Sequence, residues 1–93
     1  MGEELKSLIQ KAAAVLREAG AKEVFLFGST AVGKIRENSD IDMAVSGLPP
    51  EAFFKAMGEA ADILGRPLDL IDLDEENPFT QYLKEEKELL RVG

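Results

Sequence analysis

Three aspartates define the chemistry that this sequence can support. Asp40 and Asp42 lie two residues apart in segment 40–45, which begins with the polar–apolar alternation of a half-buried strand. Residues two apart on a strand point to the same face, so the two carboxylates would lie side by side. Asp69 lies in a second short apolar segment, 68–73, where a charge is costly unless it has a function. Together the three carboxylates predict a site for Mg²⁺, because paired divalent ions relieve carboxylate repulsion and assist phosphoryl transfer.

Two other interpretations of these acids stay open on the sequence. Asp40 and Asp42 could be turn-capping acids at a solvated strand edge, because Asn38 and Ser39 before them are common turn residues. Asp72 is close to Asp69 and could take its place in the site. The two are an odd number of residues apart and would face opposite sides of a strand. We expect Asp69 to belong to the site because it lies nearer the middle of the segment.

A glycine–serine pair precedes the first of these aspartates. Gly28 and Ser29 follow segment 23–27, which is short, apolar and rich in strand formers. Glycine at the end of a strand lets the backbone approach a ligand closely. The N–H groups at the start of a helical turn can bind phosphate oxygens, and the serine hydroxyl would add a hydrogen bond. The pair therefore predicts a binding site for the phosphates of a nucleotide.

The same stretch also fits part of a P-loop. Segment 28–34 follows a predicted strand and matches the pattern Gly-x-x-x-x-Gly-Lys. Ile35 occupies the next position, where a P-loop has Ser or Thr to bind Mg²⁺. A chain of 93 residues also leaves little room for the larger parallel sheet of a P-loop NTPase. The P-loop is the weaker alternative, and it predicts release of the γ-phosphate rather than pyrophosphate.

The residue types that the chain lacks exclude several other kinds of catalytic site. The chain contains no cysteine and no histidine, which excludes thiol nucleophiles, imidazole bases and the usual zinc sites. The formal net charge of −7 argues against binding to duplex nucleic acid, which depends on many lysine and arginine contacts to phosphate. No apolar run is long enough to cross a membrane, and the N-terminus lacks the pattern of a secretion signal. We expect a cytoplasmic protein.

Hydrophobic spacing predicts the elements that would position these residues. Residues 1–93 form one small domain by length, with the order helix, strand, strand, helix, strand, helix. The predicted helices are 3–19, 51–64 and 79–90, and the predicted strands are 23–27, 40–45 and 68–73. This order predicts an α/β fold of the α+β type, with a mixed three-stranded sheet and helices packed on it. In helix 51–64 the apolar stripe that includes Phe53, Phe54 and Met57 predicts core or a helix–helix contact.

The signature of a known family matches these residues. Gly28-Ser29, ten further residues and then Asp40-Ile41-Asp42 resemble the motif of the polymerase-beta-type nucleotidyltransferase superfamily, in its minimal (MNT) branch. Segment 67–72 resembles the later strand that bears the third carboxylate. The additional matches are Ala31, Gly33, Ser39 and the hydrophobic run through Val45. The resemblance covers nearly the whole chain and implies a polymerase-beta-like nucleotidyltransferase core.

The resemblance also implies roles for the site residues. Asp40 and Asp42 would bind two Mg²⁺ ions, and Asp69 would bind the catalytic ion and orient the acceptor hydroxyl. ATP would be the nucleotide donor. Many members have an arginine directly after the Gly-Ser pair, whereas this chain has Thr30. Lys34 or Arg36 would then supply the missing phosphate contact.

Partners follow from the resemblance as well. Minimal MNT proteins commonly act beside a small helical partner of the HEPN type, as an antitoxin or as the catalytic half of a two-chain transferase. Some resemble enzymes that transfer AMP to a protein hydroxyl. We therefore expect AMP transfer from ATP to a partner protein. An antitoxin that only binds and an aminoglycoside nucleotidyltransferase are the alternatives, and a homo-oligomer stays open.

Overall fold

Helices and short strands alternate along the chain. The structure is a computed structural model that describes residues 2–36, 39–86 and 88–92. The helices are α1 (Glu3–Glu18), α2 (Gly28–Ala31), α3 (Pro50–Leu64) and α4 (Pro78–Glu85). The strands are β1 (Glu23–Leu26), β2 (Ile41–Ser46), β3 (Leu68–Asp72) and β4 (Leu90–Arg91). The predicted α/β architecture is confirmed.

The strands form one mixed sheet in the order β3-β2-β1-β4. β1 pairs antiparallel with β2 and with β4, whereas β2 pairs parallel with β3. Parallel neighbours need a crossover connection, and α3 supplies it. Proline at the first position of α3 and the left-handed Gly65 after its last residue fix the two ends of this crossover.

The fourth strand corrects the sequence prediction. A helix was expected over 79–90 and a sheet of three strands, but α4 ends at Glu85 and β4 follows it. Tertiary contacts explain the difference. Val92 is buried, its N–H donates to the carbonyl of Val24 at 2.9 Å, and its own carbonyl accepts from the Arg17 guanidinium at 2.7 Å. These contacts attach the end of the chain to β1 and α1, which helical periodicity alone does not reveal.

The two faces of the sheet differ because side chains alternate along each strand. One face, which we call the α1/α3 face, packs against α1 and α3 and holds the main core. Its buried residues include Leu16, Val24, Ile41, Met43, Val45 and Ala60, each at most 1% exposed. The opposite face, which we call the α4 face, carries a smaller apolar cluster built around Phe27, Ala44, Leu73 and Leu83. Asp42 and Asp69, polar members of β2 and β3, therefore lie on the α4 face.

The apolar stripe of α3 is only partly buried. Phe54 is 75% exposed, which contradicts the prediction that it lies in the core or in a helix–helix contact. Phe53 and Met57 are half-buried against the main core, and Leu64 is buried. The two phenylalanines pack edge to face, with ring centroids 5.5 Å apart. Phe54 lies beside β3, an edge strand of the described sheet, so no further described strand covers it.

Within the described part of the chain, each helix is too short or too polar to cross a membrane.

Candidate active site

The parallel pairing of β2 and β3 places two of the predicted aspartates side by side. Asp42 is the register partner of Asp69, and each lies two residues before a member of the α4-face cluster, Ala44 or Ile71. Both carboxylates therefore project from the α4 face. Asp40 lies two residues before Asp42, immediately before β2 begins, and is exposed. The fold thus brings the three predicted carboxylates to the starting ends of two neighbouring strands.

Charge repulsion among these acids is visible at Asp42. Partial burial, followed by the charges of Asp69 and Asp40, raises the pKa of the Asp42 carboxyl above its ordinary value of 3.8. Like charges favour protonation of one member of such a group. A bound divalent cation would remove this repulsion, so the donor set suits a hard metal in its chemistry.

The side chains are not already arranged as a complete metal cage. Among the described residues, no group of three or more acidic, histidine or cysteine side chains is positioned to hold a metal ion. The third carboxylate must therefore reorient if all three are to bind one ion.

Asp72, the rival of Asp69, has a different environment. It is the register partner of Val45, a residue of the α1/α3 face. Its carboxylate accepts a hydrogen bond from the N–H of Asp74 at 2.9 Å and so shapes the turn after β3. The fold therefore gives Asp72 a local structural contact and leaves Asp69 opposite Asp42.

Gly28 lies directly against the Asp42 carboxylate. A Cβ atom at this position would be 2.9 Å from Oδ2 of Asp42, and the backbone φ angle of +58° is one that side-chain-bearing residues rarely adopt. Both observations require glycine here. The backbone at Gly28 thus lies against the Asp42 carboxylate, and its predicted approach to a phosphate ligand stays a prediction.

The short helix α2 begins with this pair. The first N–H to bond within the turn is that of Ala31, which donates to the carbonyl of Phe27 at 3.3 Å. The N–H groups of Gly28 and Ser29 precede it and have no acceptor inside the helix. Both residues are exposed, and they can offer these donors to a ligand beside Asp42.

Thr30 has a structural role that the sequence did not suggest. It is 0% exposed, and its hydroxyl accepts a hydrogen bond from the N–H of Asp42 at 2.9 Å. The carbonyl of Asp42 in turn accepts from the N–H of Phe27 at 3.2 Å. Asp42 is therefore held on both sides of its backbone by the strand and turn that carry the glycine–serine pair. The only sign of this role in the sequence was a threonine directly after Gly-Ser. Its burial in the structure shows that the role is structural.

The two basic candidates lie in the loop between α2 and β2. Lys34 and Arg36 are exposed. The pKa of Asp42 is raised by burial and then by the charges of Asp69 and Asp40, and neither base contributes to this shift among the described residues. Arg66, which the sequence did not single out, holds this loop in place. Its guanidinium donates to the carbonyl of Arg36 at 3.1 Å and to that of Ser39 at 3.4 Å. It therefore links the approach to Asp40 with the segment that leads into β3.

An aromatic pair borders the site. Phe27 is the residue before Gly28, and its ring meets Phe79 of α4 edge to face, with centroids 5.8 Å apart. Phe27 is 6% exposed, whereas Phe79 is 46% exposed.

A mixed sheet with aspartates on adjacent strands, beside a glycine–serine turn, defines a nucleotidyltransferase of the polymerase-beta class. The family model described as "Polymerase beta, Nucleotidyltransferase" matches residues 4–91. The chain belongs to this family. Family membership and the four-residue length of α2 exclude the P-loop alternative.

Solved structures give the same fold. A toxin–antitoxin crystal structure with AMP-PNP matches with a TM-score of 0.71 and 25% identity, over 88% of this chain and 70% of that one. A proposed minimal nucleotidyltransferase matches with a TM-score of 0.72 and 24% identity, over 96% and 94% of the two chains. The toxin–antitoxin MntA–HepT matches with a TM-score of 0.65 and 23% identity, over 91% and 68%. None of the curated proteins is a significant match to the chain.

Proposed function

We propose that this nucleotidyltransferase transfers AMP from ATP, with Mg²⁺, to a hydroxyl group of a HEPN-type partner protein, and that it acts as the catalytic antitoxin of the pair. The observation that carries the proposal is the pairing of Asp42 with Asp69, with Asp40 close enough to raise the pKa of Asp42. Three interacting carboxylates beside a glycine–serine turn are the parts that nucleotidyl transfer requires.

The residues fit a magnesium requirement by the chemistry of their donors. Asp40, Asp42 and Asp69 would hold the metal, because carboxylate oxygens are the ligands that Mg²⁺ prefers. When bound, Mg²⁺ supplies charge neutralisation for the attacking and leaving oxygens of the transfer. The repulsion that raises the pKa of Asp42 is what a cation at this position would relieve.

The protein's own groups would bind the donor and orient the acceptor. The N–H groups of Gly28 and Ser29, with the Ser29 hydroxyl, would donate hydrogen bonds to the phosphate oxygens of ATP. Lys34 or Arg36 would add a positive charge in place of the arginine that many family members carry. The Thr30 hydroxyl would keep the backbone of Asp42 at a fixed distance from this turn.

The transfer itself is a displacement at the α-phosphate. Asp69 would accept a hydrogen bond from the acceptor hydroxyl and help to remove its proton. A bond forms between the acceptor oxygen and the α-phosphorus while the bond to the bridging oxygen breaks, and pyrophosphate leaves. The leaving pyrophosphate would be held by the glycine–serine turn.

A protein acceptor and ATP are supported by the solved relatives. One similar structure is a toxin–antitoxin with AMP-PNP, and another is the toxin–antitoxin MntA–HepT. The domain of 93 residues has its glycine–serine turn and carboxylates exposed or half-buried, which leaves the acceptor side for a partner to complete.

The first experiment is a transfer reaction with the purified chain, the partner encoded beside it, Mg²⁺ and ATP labelled separately at the α and γ positions. We expect α label on the partner and release of pyrophosphate. The double variant Asp40→Asn/Asp42→Asn should remove both signals. The matched control is Asp62→Asn, which changes an exposed acid of α3 and should transfer as the wild type does.

A second function, an antitoxin that binds without transfer, is favoured by one observation. The described carboxylates do not form a ready three-ligand metal group. Complex formation without any labelled product, in the presence of Mg²⁺ and ATP, would favour that function and contradict ours. Equal transfer by the Asp40→Asn/Asp42→Asn variant would place the active site elsewhere.

A further inference from the structure

An apolar groove runs along the free edge of β3, immediately beside the candidate active site. Its volume is about 400 Å³, and the first turn of α3 and the start of α4 form its walls. Three aromatic side chains line it, Phe53, Phe54 and Phe79. Phe54 and Phe79 are 75% and 46% exposed, so the groove presents unusually large apolar side chains to solvent. We call this feature the β3 groove.

The floor of the β3 groove is an edge strand with outward-facing backbone groups. The N–H of Ile41 donates to the carbonyl of Pro67, and the N–H of Leu73 donates to the carbonyl of Val45. In a parallel pair the residues that bond to the neighbour alternate with residues that point away. Leu70 and Asp72 therefore direct their N–H and carbonyl groups away from β2, and both line the groove. The carbonyl of Asp72 accepts from the N–H of Glu75 at 3.2 Å, so the groups that a further strand could pair with are those of Leu70 and the N–H of Asp72. An extended polypeptide can pair with such an edge.

The charge of the groove restricts what binds there. Asp72 and Glu75 are among its lining residues, whereas none of the described residues that line it is a lysine or an arginine. Phosphate groups of a nucleic acid would be repelled at this surface, while a basic polypeptide segment would be attracted. The aromatic walls match apolar side chains, so the complementary ligand is an extended peptide with both basic and apolar residues.

The position of the groove relative to the site gives the peptide a role. Asp69 is the residue before Leu70 on β3, and its carboxylate projects from the α4 face. A strand added at the β3 edge would present alternate side chains to the two faces. Those on one face would contact Phe53 and Phe54, and those on the other would reach Asp69.

We propose that the β3 groove binds the acceptor polypeptide as an added strand, with basic residues at its acidic rim and the acceptor hydroxyl beside Asp69. This inference rests on the proposed function and names the kind of segment that the partner contributes. It also identifies Phe54 and Glu75 as specificity residues that lie outside the carboxylate site.

Binding can be measured without catalysis. The probes are two fluorescein-labelled random copolymers, lysine–tyrosine and glutamate–tyrosine, titrated with the intact chain and followed by fluorescence anisotropy. We expect the lysine copolymer to bind more tightly. Glu75→Lys should weaken its binding at least about threefold more than Glu59→Lys, which makes the same change of net charge on exposed α3. If Glu75→Lys and Glu59→Lys weaken binding of the lysine copolymer equally, the attraction is non-specific and the proposal is overturned.

A second pair of variants tests the apolar wall. Phe54→Ser should weaken binding of the lysine copolymer about tenfold. The reason is that the aromatic side chain, which is exposed in the free protein, would be buried against the bound peptide. The control is Leu90→Ser, which removes a side chain that is 52% exposed on β4, at the opposite edge of the sheet. If both variants bind as the wild type does, the groove is not the docking site.

Transfer to the copolymer then separates this inference from the proposed function. With α-labelled ATP, Phe54→Ser should raise KM for the lysine copolymer and leave kcat nearly unchanged. Asp42→Asn should bind the copolymer and transfer nothing. Transfer that depends on Asp42 but is insensitive to Phe54 and Glu75 would overturn the groove while the proposed function stands. Binding that depends on the groove, with label reaching no tyrosine, would overturn the groove's role in presenting the acceptor.

Discussion

The two faces of one sheet have opposite properties. The α1/α3 face is closed, with Leu16, Met43 and Ala60 each 0% exposed. The α4 face, formed by the alternate residues of the same strands, places Asp42 opposite Asp69. Strand alternation allows a chain of this size to keep a packed core and a charged site within the same few residues. The packed core and the proposed catalytic carboxylates thus lie on opposite sides of β2 and β3.

This division explains how the repulsion at the site is tolerated. Burial of apolar side chains on the α1/α3 face stabilises the fold by about 25 cal/mol for each Å² removed from water. The aspartates destabilise the folded state when no cation is bound, because the charged form of Asp42 is disfavoured there. Substitutions on the two faces should therefore separate stability from activity.

The largest effect on stability is expected on the α1/α3 face. Leu16→Ala removes a fully buried side chain of α1 and should lower the free energy of unfolding by about 2–5 kcal/mol. Urea denaturation followed by circular dichroism measures this loss. Under conditions where the variant is still folded, its activity per folded molecule should equal that of the wild type. A change of less than about 0.5 kcal/mol, the level expected of exposed positions, would contradict the assigned core.

The largest effect on activity is expected on the α4 face. Asp42→Asn should lower the rate of pyrophosphate release at least about a hundredfold, because it removes a charge that the transfer requires. The same variant should be more stable than the wild type at pH 7 without metal, since it removes a partly buried charge and ends its repulsion with Asp69 and Asp40. Activity and unfolding curves of one preparation provide both measurements.

The predicted stability gain of Asp42→Asn can be tested by its dependence on pH. The pKa of Asp42 is raised in the folded protein, so the folded state binds the proton more tightly than the unfolded state does. Its contribution to stability is complete below the ordinary value of 3.8 and is lost as the pH rises through the raised pKa. The stability advantage of Asp42→Asn should therefore shrink as the pH falls from 7 toward 3.8. A constant advantage across this range would show that its cause is not ionisation.

A smaller effect is expected where the two faces meet the glycine–serine turn. Thr30→Val keeps the shape of a buried side chain but leaves the N–H of Asp42 without its acceptor, at a cost of about 1–3 kcal/mol. We expect a lower kcat, because Asp42 is then less firmly positioned. Thr30→Ser retains the hydroxyl and should restore most of the kcat. If Thr30→Ser and Thr30→Val are equally active, the hydrogen bond does not position Asp42.

The smallest effects are expected for the exposed bases. Either Lys34→Gln or Arg36→Gln should raise KM for ATP about threefold to tenfold, because a charge-assisted contact to phosphate is lost. Neither should change stability by more than about 0.5 kcal/mol, since both side chains are exposed. Lys55→Gln, an exposed base of α3, is the control. Unchanged KM values in both variants would mean that no basic side chain replaces the arginine of other family members.

Much of the site was recognisable in the sequence because its signals are local. The glycine requirement at Gly28 and the two-residue spacing of Asp40 and Asp42 follow from backbone geometry within a few residues. The roles of the aspartates, of Ser29 and of the bases in catalysis are still predictions. The errors concerned long-range contacts, since β4 and the exposure of Phe54 depend on which strand lies at each edge.

The sequence by itself determined the family, the mixed sheet and the residues that could do chemistry, because residue type and spacing are properties of the chain alone. The tertiary structure decided which of these residues meet. Asp42 faces Asp69 only because α3 carries the chain back to a parallel pairing with β2, across 27 residues of sequence. Thr30, Arg66 and the β3 groove became visible for the same reason. Burial and hydrogen bonding between distant segments depend on the path of the backbone, and periodicity does not encode that path.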